Sequence, residues 1–234
     1  MPNWCYSHIT VYSKDKEAVT DLHSRICSWL EAPTLMPDAW EGNSAWLGNM
    51  LLHAGFASEE VIDAKKIKCR GYIEDGPEDV YELAGYSCFC FTTETAWAAM
   101  IEMWYKLLDK LYPGKDIRIA YSANEPNMAQ YYHWDPEKLF YPGEDYYIDY
   151  YLDEIPGLDA MQNVQCLMDD SNDGSDYIST EAAIRLMQQI LSTTETDEYT
   201  LLSMLDDYNE KLEELNGDAY IHFYKYDNCR TENG

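Results

Sequence analysis

Cys88 and Cys90 stand two apart in the stretch CFCFTTETAW. On a strand that spacing sends both side chains to the same side. With Cys5 on a neighbouring strand they make a candidate thiolate set for a metal ion. Buried free cysteine is also a common small core residue, and packing is the expected role. The five histidines, His8, His23, His53, His133 and His222, form neither an HxH nor an HExxH pair, which argues against a zinc enzyme. Asp169, Asp173 and Asp176 gather around Gly174 in the manner of a calcium loop. Glu181 falls at the wrong offset for an EF-hand, so a solvated polar loop is expected. No GxSxG, P-loop or GxGxxG occurs. Paired carboxylates cannot be singled out, because 43 acids make coincidental pairs everywhere. No catalytic residue, metal ion or cofactor is assigned, and the expectation is that the protein is not an enzyme.

The tyrosines carry more information. In YYIDYYLD, residues Tyr146, Ile148, Tyr150 and Leu152 alternate with Tyr147, Asp149, Tyr151 and Asp153. On a strand the second set makes a face of aromatic rings and carboxylates. Either it is the wet side of an ordinary antiparallel strand, or it is a contact surface, since Tyr is enriched at interfaces and carboxylates pair with Arg and Lys. The later segment from Asp197 to Leu215 adds Asp206, Asp207, Glu210, Glu213 and Glu214, with Lys211 as its single base. Such a run is often only a solvated helix face. The candidate partner-binding set is therefore Tyr147, Asp149, Tyr151, Asp153, Asp206, Asp207, Glu210, Glu213 and Glu214.

The overall charge restricts what such a surface could meet. There are 43 acidic and 16 basic residues among 234, a formal net of −27. Residues 140–234 hold 22 acids and 4 bases, a net of −18, against −9 for the first 139. Phosphate contacts need Lys and Arg, so direct binding to nucleic acid or to an anionic membrane is not expected. Basic partners are favoured. Hydrophobic residues make up 46%, enough for a real core. The seven cysteines show no CxxC pair. The opening Met1-Pro2-Asn3-Trp4 lacks the basic and apolar regions of a signal peptide, and no apolar run reaches membrane-span length. A reduced, cytoplasmic setting is expected.

These residues need elements to hold them. Trp4, Tyr6, His8, Thr10 and Tyr12 alternate with Cys5, Ser7, Ile9 and Val11, a strand period. Asp15 is a suitable N-cap for a helix with the stripe Val19, Leu22, Ile26 and Leu30, closed by Pro33. Trp40, Trp46, Leu47, Met50, Leu51 and Leu52 suggest a helical insertion over 34–68. Cys69 to Glu74 reads as a strand. Val80 to Thr92 reads as its partner, with a bulge at Gly85. Thr93 or Thr95 would cap a helix buried through Trp97, Ile101, Trp104, Leu108 and Leu111, and Ile117, Ile119 and Tyr121 begin a further strand. This order predicts an α+β fold, a ferredoxin-like βαββαβ core with an antiparallel sheet. Met128–Trp134 and Tyr146–Leu152 would extend the sheet. Two helices and a strand over 219–226 complete an acidic α/β extension, 143–234, packed on the 1–142 core.

Three motifs carry a family resemblance over roughly 1–142: the opening MPNWC, Thr95-Ala96-Trp97 and Glu125-Pro126-Asn127-Met128. In this order they resemble the signature of the YubB-type ferredoxin-like family of phage, prophage and conjugative-plasmid proteins. Ser7 stands where that family usually has Asn, and Asn127 where it has Gly. Asn tolerates the left-handed backbone region that such a turn needs. The resemblance implies an accessory protein of a mobile element and supplies no catalytic residues.

Together these features point to a non-catalytic inhibitor whose carboxylates stand in for phosphates in the groove of a basic nucleic-acid-binding host protein, such as a defence nuclease. A different class of function is a small-ligand binder or unfamiliar enzyme with a pocket between sheet and insertion, walled by Trp4, Trp97 and Tyr121. A third is a structural or assembly subunit. The sequence does not specify an oligomeric state.

Overall fold

The period-two run at the start of the chain forms the strand on which the first sheet is built. The computed structural model describes residues 3–36, 43–62, 65–125, 130–143, 145–152, 173–215 and 217–228. Its elements are β1 (Trp4–Ser13), α1 (Lys16–Glu31), α2 (Leu47–His53), α3 (Ser58–Ile62), β2 (Gly71–Ile73), β3 (Tyr81–Leu83), β4 (Tyr86–Ala96), α4 (Ile101–Leu111), β5 (Arg118–Glu125), β6 (Gln130–Trp134), β7 (Tyr146–Tyr151), β8 (Asp173–Ile178), α5 (Thr180–Leu191), α6 (Glu198–Leu215), β9 (Tyr220–Lys225) and β10 (Asp227–Asn228). The protein is mixed α+β, with two largely antiparallel sheets. It divides into two compact units, 1–141 with 227–234, and 142–226.

In the first unit the strand order is β10-β6-β5-β1-β4-β2, with β3 paired to the start of β4. β1 lies antiparallel to β4 along its whole length and to β5 on its other side. Odd-numbered residues of β1 and β4 (Cys5, Ile9, Val11, Phe89, Phe91) share a core with Val19, Leu22 and Ile26 of α1, Met50 and Leu51 of α2, and Trp104 and Leu107 of α4. Asp15 caps α1 by accepting the Ala18 N–H at 3.1 Å. On the opposite face Tyr12, Cys88 and Ala120 form a small second core with Tyr141.

Several local expectations change. Thr93 and Thr95 cap no helix, because both lie in β4, paired across to Ser7 and Cys5 on one side and to Ile73 and Gly71 on the other. Pairing on two sides of a β-branched residue outweighs its capping preference. The chain leaves the strand through two left-handed residues, Trp97 at φ 74° and Met100 at φ 52°. Trp97 is half exposed and outside the α4 stripe, whose buried members are Ile101, Met103, Trp104, Leu107 and Leu108. Gly85 makes no bulge: with Ala84 it forms a two-residue hairpin turn at φ 83° and 49°, the left-handed geometry that matches strand twist.

The second unit has its own sheet, order β8-β7-β9. β6 extends the first sheet, but β7 does not; it is the centre of the second. The stretch from Asp173 belongs to strand β8 rather than to a loop, and residues 169–172 lie outside the described ones. Tyr146, Ile148, Leu152, Ile221 and Phe223 pack beneath Ala183, Met187 and Ile190 of α5 and Leu201, Leu205 and Leu212 of α6. After β9 the chain returns to the first unit, where β10 runs parallel to β6. Among the described residues no helix is long and apolar enough to cross a membrane.

Candidate functional site

The alternation in YYIDYY resolves as one strand with two unlike sides. Tyr146 and Ile148 go under the helices, and Tyr147, Asp149 and Tyr151 go to the side the helices leave uncovered. Register then builds rows across three strands. Tyr147 lies between Tyr177 of β8 and Tyr224 of β9, Asp149 between Ser175 and His222, and Tyr151 opposite Tyr220. The rings are in contact. Tyr147 is 5.3 Å from Tyr177 and 6.3 Å from Tyr224, centroid to centroid. Tyr151 stacks at 6.4 Å on Tyr220, and Tyr220 meets His222 edge-on at 4.9 Å.

Asp149 sits in the middle of this aromatic surface. The Tyr220 hydroxyl donates to its Oδ2 at 3.2 Å, and the Tyr224 hydroxyl lies 2.9 Å from His222 Nδ1. Partial burial lowers the His222 pKa below its ordinary value, opposed by the charges of Asp149 and Asp206, so the ring is neutral at pH 7. Burial first, with Asp149 adding to it, pushes Tyr220 up to about 12. The face therefore presents aromatic rings around the Asp149 carboxylate, and the register adds Asp173 opposite Tyr151. Aromatic faces attract ammonium and guanidinium groups, and a carboxylate among them adds a charge-assisted hydrogen bond.

The helical half of the expected set lies elsewhere. Asp206, Asp207, Glu210, Glu213 and Glu214 are all exposed on α6, whose apolar side covers the opposite face of the sheet. Of these, Asp206 comes within electrostatic reach of His222 at the β9 edge. Asp153 lies outside the described residues. Asn209, on the same helix, holds the sheet instead. It accepts the N–H of Ile221 at 2.9 Å and donates to the Ile221 C=O at 2.8 Å, along the outer edge of β9. That occupies backbone groups an edge strand would otherwise offer to another chain.

No family model matches the chain, and no curated protein matches it. Among solved structures, one described as a "putative glycine cleavage system transcriptional repressor" aligns over 95% of this chain and 98% of its own, at 10% identity and a TM-score of 0.26. A score that low carries no inference about fold or function.

The other chemistry-bearing residues separate. Cys5 faces the helix-covered core of the first sheet, whereas Cys88 and Cys90 face the opposite side, so the sheet stands between them. Cys90 donates to Glu78 at 3.0 Å. Burial pushes Cys5 and Cys88 up to about 11 and Cys90 to about 12, so all three stay thiols at neutral pH. Among the described residues no three His, Cys, Asp or Glu side chains converge as metal ligands. The proposed pocket walls do not converge either. Tyr121 is fully buried on the helix side, Trp4 contacts Tyr72 from the other face, and Trp97 is half exposed at the end of β4.

Sequence reading missed Tyr177, Tyr220, His222 and Tyr224. The alternation of Tyr220, His222 and Tyr224 with Ile221 and Phe223 is the same period-two signal found at Tyr146–Leu152. What it lacked was the register that lays the two strands side by side.

Proposed function

We propose that the protein is a non-catalytic binding protein whose second unit engages a basic nucleic-acid-binding partner, its carboxylates standing in for phosphates. The observation that carries this reading is the concentration of charge in one small unit: residues 142–226 hold 20 acids and 3 bases, a net of −17. The helix-free sheet face supplies half-buried, cation-attracting rings around Asp149, and the outer side of α6 supplies five exposed carboxylates. With acids on both the sheet and α6, the partner is held by a field over much of the unit. The first unit is read as a ferredoxin-like domain. Its chain order β1, α1, β2, β4, α4, β5 and its strand order β5-β1-β4-β2 support that plan. The three motifs that resemble the YubB-type signature favour a mobile-element origin and a host target.

Capture from host lysate at low and high salt tests this. The expected prey is a nucleic-acid-binding protein released as salt rises, since the Debye length shortens from about 10 Å at 0.1 M to about 3 Å at 1 M. Added nucleic acid should compete for it. A prey retained unchanged at 1 M salt, or one indifferent to nucleic acid, removes the mimicry.

A further inference from the structure

The helix-free face of the first sheet ends in a group of rings around one acid. Register places Glu94 of β4 directly between Tyr6 of β1 and Tyr72 of β2. Trp4, the next β1 residue on this face, reaches across to Tyr72, with ring centroids 6.0 Å apart and planes tilted by 57°. Side-chain bonds join the same residues. The Tyr72 hydroxyl donates to Glu94 Oε2, and Tyr6 hydrogen-bonds the same carboxylate. Those bonds first, then burial and the charges of Glu94 and Glu74, raise both phenols, Tyr72 to about 12. Both hydroxyls therefore keep their protons at neutral pH and act as donors.

The group is open to solvent. Tyr6 is 48% exposed, and Trp4, Tyr72 and Glu94 are half-buried. Glu74, exposed just beyond β2, adds a second negative charge that reaches both phenols. Among the described residues no Lys, Arg or His is ion-paired with Glu94 or Glu74. A negative site walled by rings and lacking a cation of its own is complementary to an organic cation. Adjacent strands lie about 4.8 Å apart, so Tyr6 and Tyr72 stand roughly 10 Å from each other. A cation seated over Glu94 between them lies about 5 Å from each ring, inside the ~6 Å reach of a cation–π contact.

We propose that Glu94, Tyr6, Tyr72 and Trp4 form a surface site for the quaternary ammonium group of a small molecule. The type of cation follows from the hydrogen bonds already made. The two hydroxyls occupy lone pairs of Glu94 that the N–H groups of a primary ammonium or a guanidinium would need. A quaternary ammonium has no N–H to satisfy and binds through its charge and the ring faces. The source follows from the sheet edge. Beside Tyr72 the edge of β2 is already paired: Trp46 bridges to Tyr72, and the Ile73 N–H donates to the Ala45 C=O at 3.0 Å. That edge is not open to an added peptide strand, which favours a free small molecule over a methylated lysine in a protein. This site lies in the first unit and does not rest on the partner reading above.

Titration of choline chloride into the isotope-labelled full chain, followed by NMR, tests it, with sodium chloride, ethanolamine hydrochloride and a trimethyl-lysine peptide as parallel arms. The Trp4 indole N–H and the Tyr72 amide should shift saturably with choline. Ethanolamine, which is choline without its methyl groups, should bind about tenfold more weakly, and sodium chloride should give no saturable shift. Glu94→Gln should weaken choline by about tenfold, and Tyr6→Leu, which keeps an apolar side chain but removes the ring, should weaken it severalfold. Asp149→Asn should leave it unchanged, which excludes a general effect of surface charge. No saturable shift with choline overturns the site, and equal affinity for choline and ethanolamine reduces it to an ordinary surface acid. Parent-like binding in both Glu94→Gln and Tyr6→Leu also overturns it. Tyr6 is exposed, so Tyr6→Leu alone decides if Glu94→Gln does not fold. A peptide that binds more tightly than choline overturns the assignment to a free small molecule.

Discussion

The two units use one construction for opposite ends. Each lays helices on one face of an antiparallel sheet. In the first unit the other face is also partly covered, by Tyr141 and Phe140 over Tyr12 and Cys88, and its unpaired polar groups lie inside. In the second unit that face holds Tyr147, Asp149, Tyr151, Tyr220, His222 and Tyr224, all half-buried. The charge follows the same division, 23 acids against 13 bases in the first unit and 20 against 3 in the second. The first unit buries polar groups in its sheet, whereas the second leaves them half-exposed on its helix-free face. Core substitutions should therefore harm both units alike, while surface substitutions should affect partner recognition through the second alone.

The largest expected effect tests the cores. Trp104→Ala in the first unit should cost about 3–5 kcal/mol, and Leu205→Ala in the second about 2–5 kcal/mol, by chemical denaturation. A loss of a few tenths at either site would mean that the unit lacks the core assigned to it. Next is Gly71, at φ 150°, where an added Cβ would lie 2.4 Å from the Glu94 carbonyl oxygen and 2.7 Å from the Thr95 Cα. Backbone cannot yield as a side-chain tip can, so Gly71→Ala should cost about 2–3 kcal/mol. Wild-type stability would break the β2–β4 register. In the second unit Asn209→Ala removes the two bonds to Ile221 and should cost about 1 kcal/mol, with faster amide exchange at Ile221 as the specific sign.

The smallest effects on stability are the most informative about function. Reversing Asp206, Asp207 and Glu210 to Lys should change stability by a few tenths of a kcal/mol at most while weakening partner capture and its salt dependence. Normal capture by this variant and by Asp149→Lys would reduce the acidity to a solubility feature. The pH response has a definite sign. Burial lowers the folded pKa of His222, and that of His8 in the first unit, below the ordinary 6.5. The unfolded chain then binds more protons, so the associated stability is present above pH 6.5 and is lost as pH falls below it toward the folded values. His222→Gln should flatten that slope. An unchanged slope would show that His222 stays accessible to protons.

Side-chain periodicity alone determined much of this protein. The strand at Trp4–Ser13, the buried stripe of α1 with its Asp15 cap, the helical cores at 183–190 and 201–212, and the gathering of acid toward the C-terminal side all follow from residue type and spacing. These are local properties, written into a few turns or one pleat. Tertiary structure decided what each segment pairs with. Thr93 and Thr95 look like caps until two strands claim their backbone. Tyr146–Tyr151 looks like one more strand of the first sheet until β8 and β9 flank it. Cys5, Cys88 and Cys90 look like a set until the sheet separates them, and Glu125 looks like an ordinary acid at a strand end until burial leaves it unpaired. Strand pairing and burial join residues far apart in the chain, and a period of two reveals which residues share a face without saying what that face will meet.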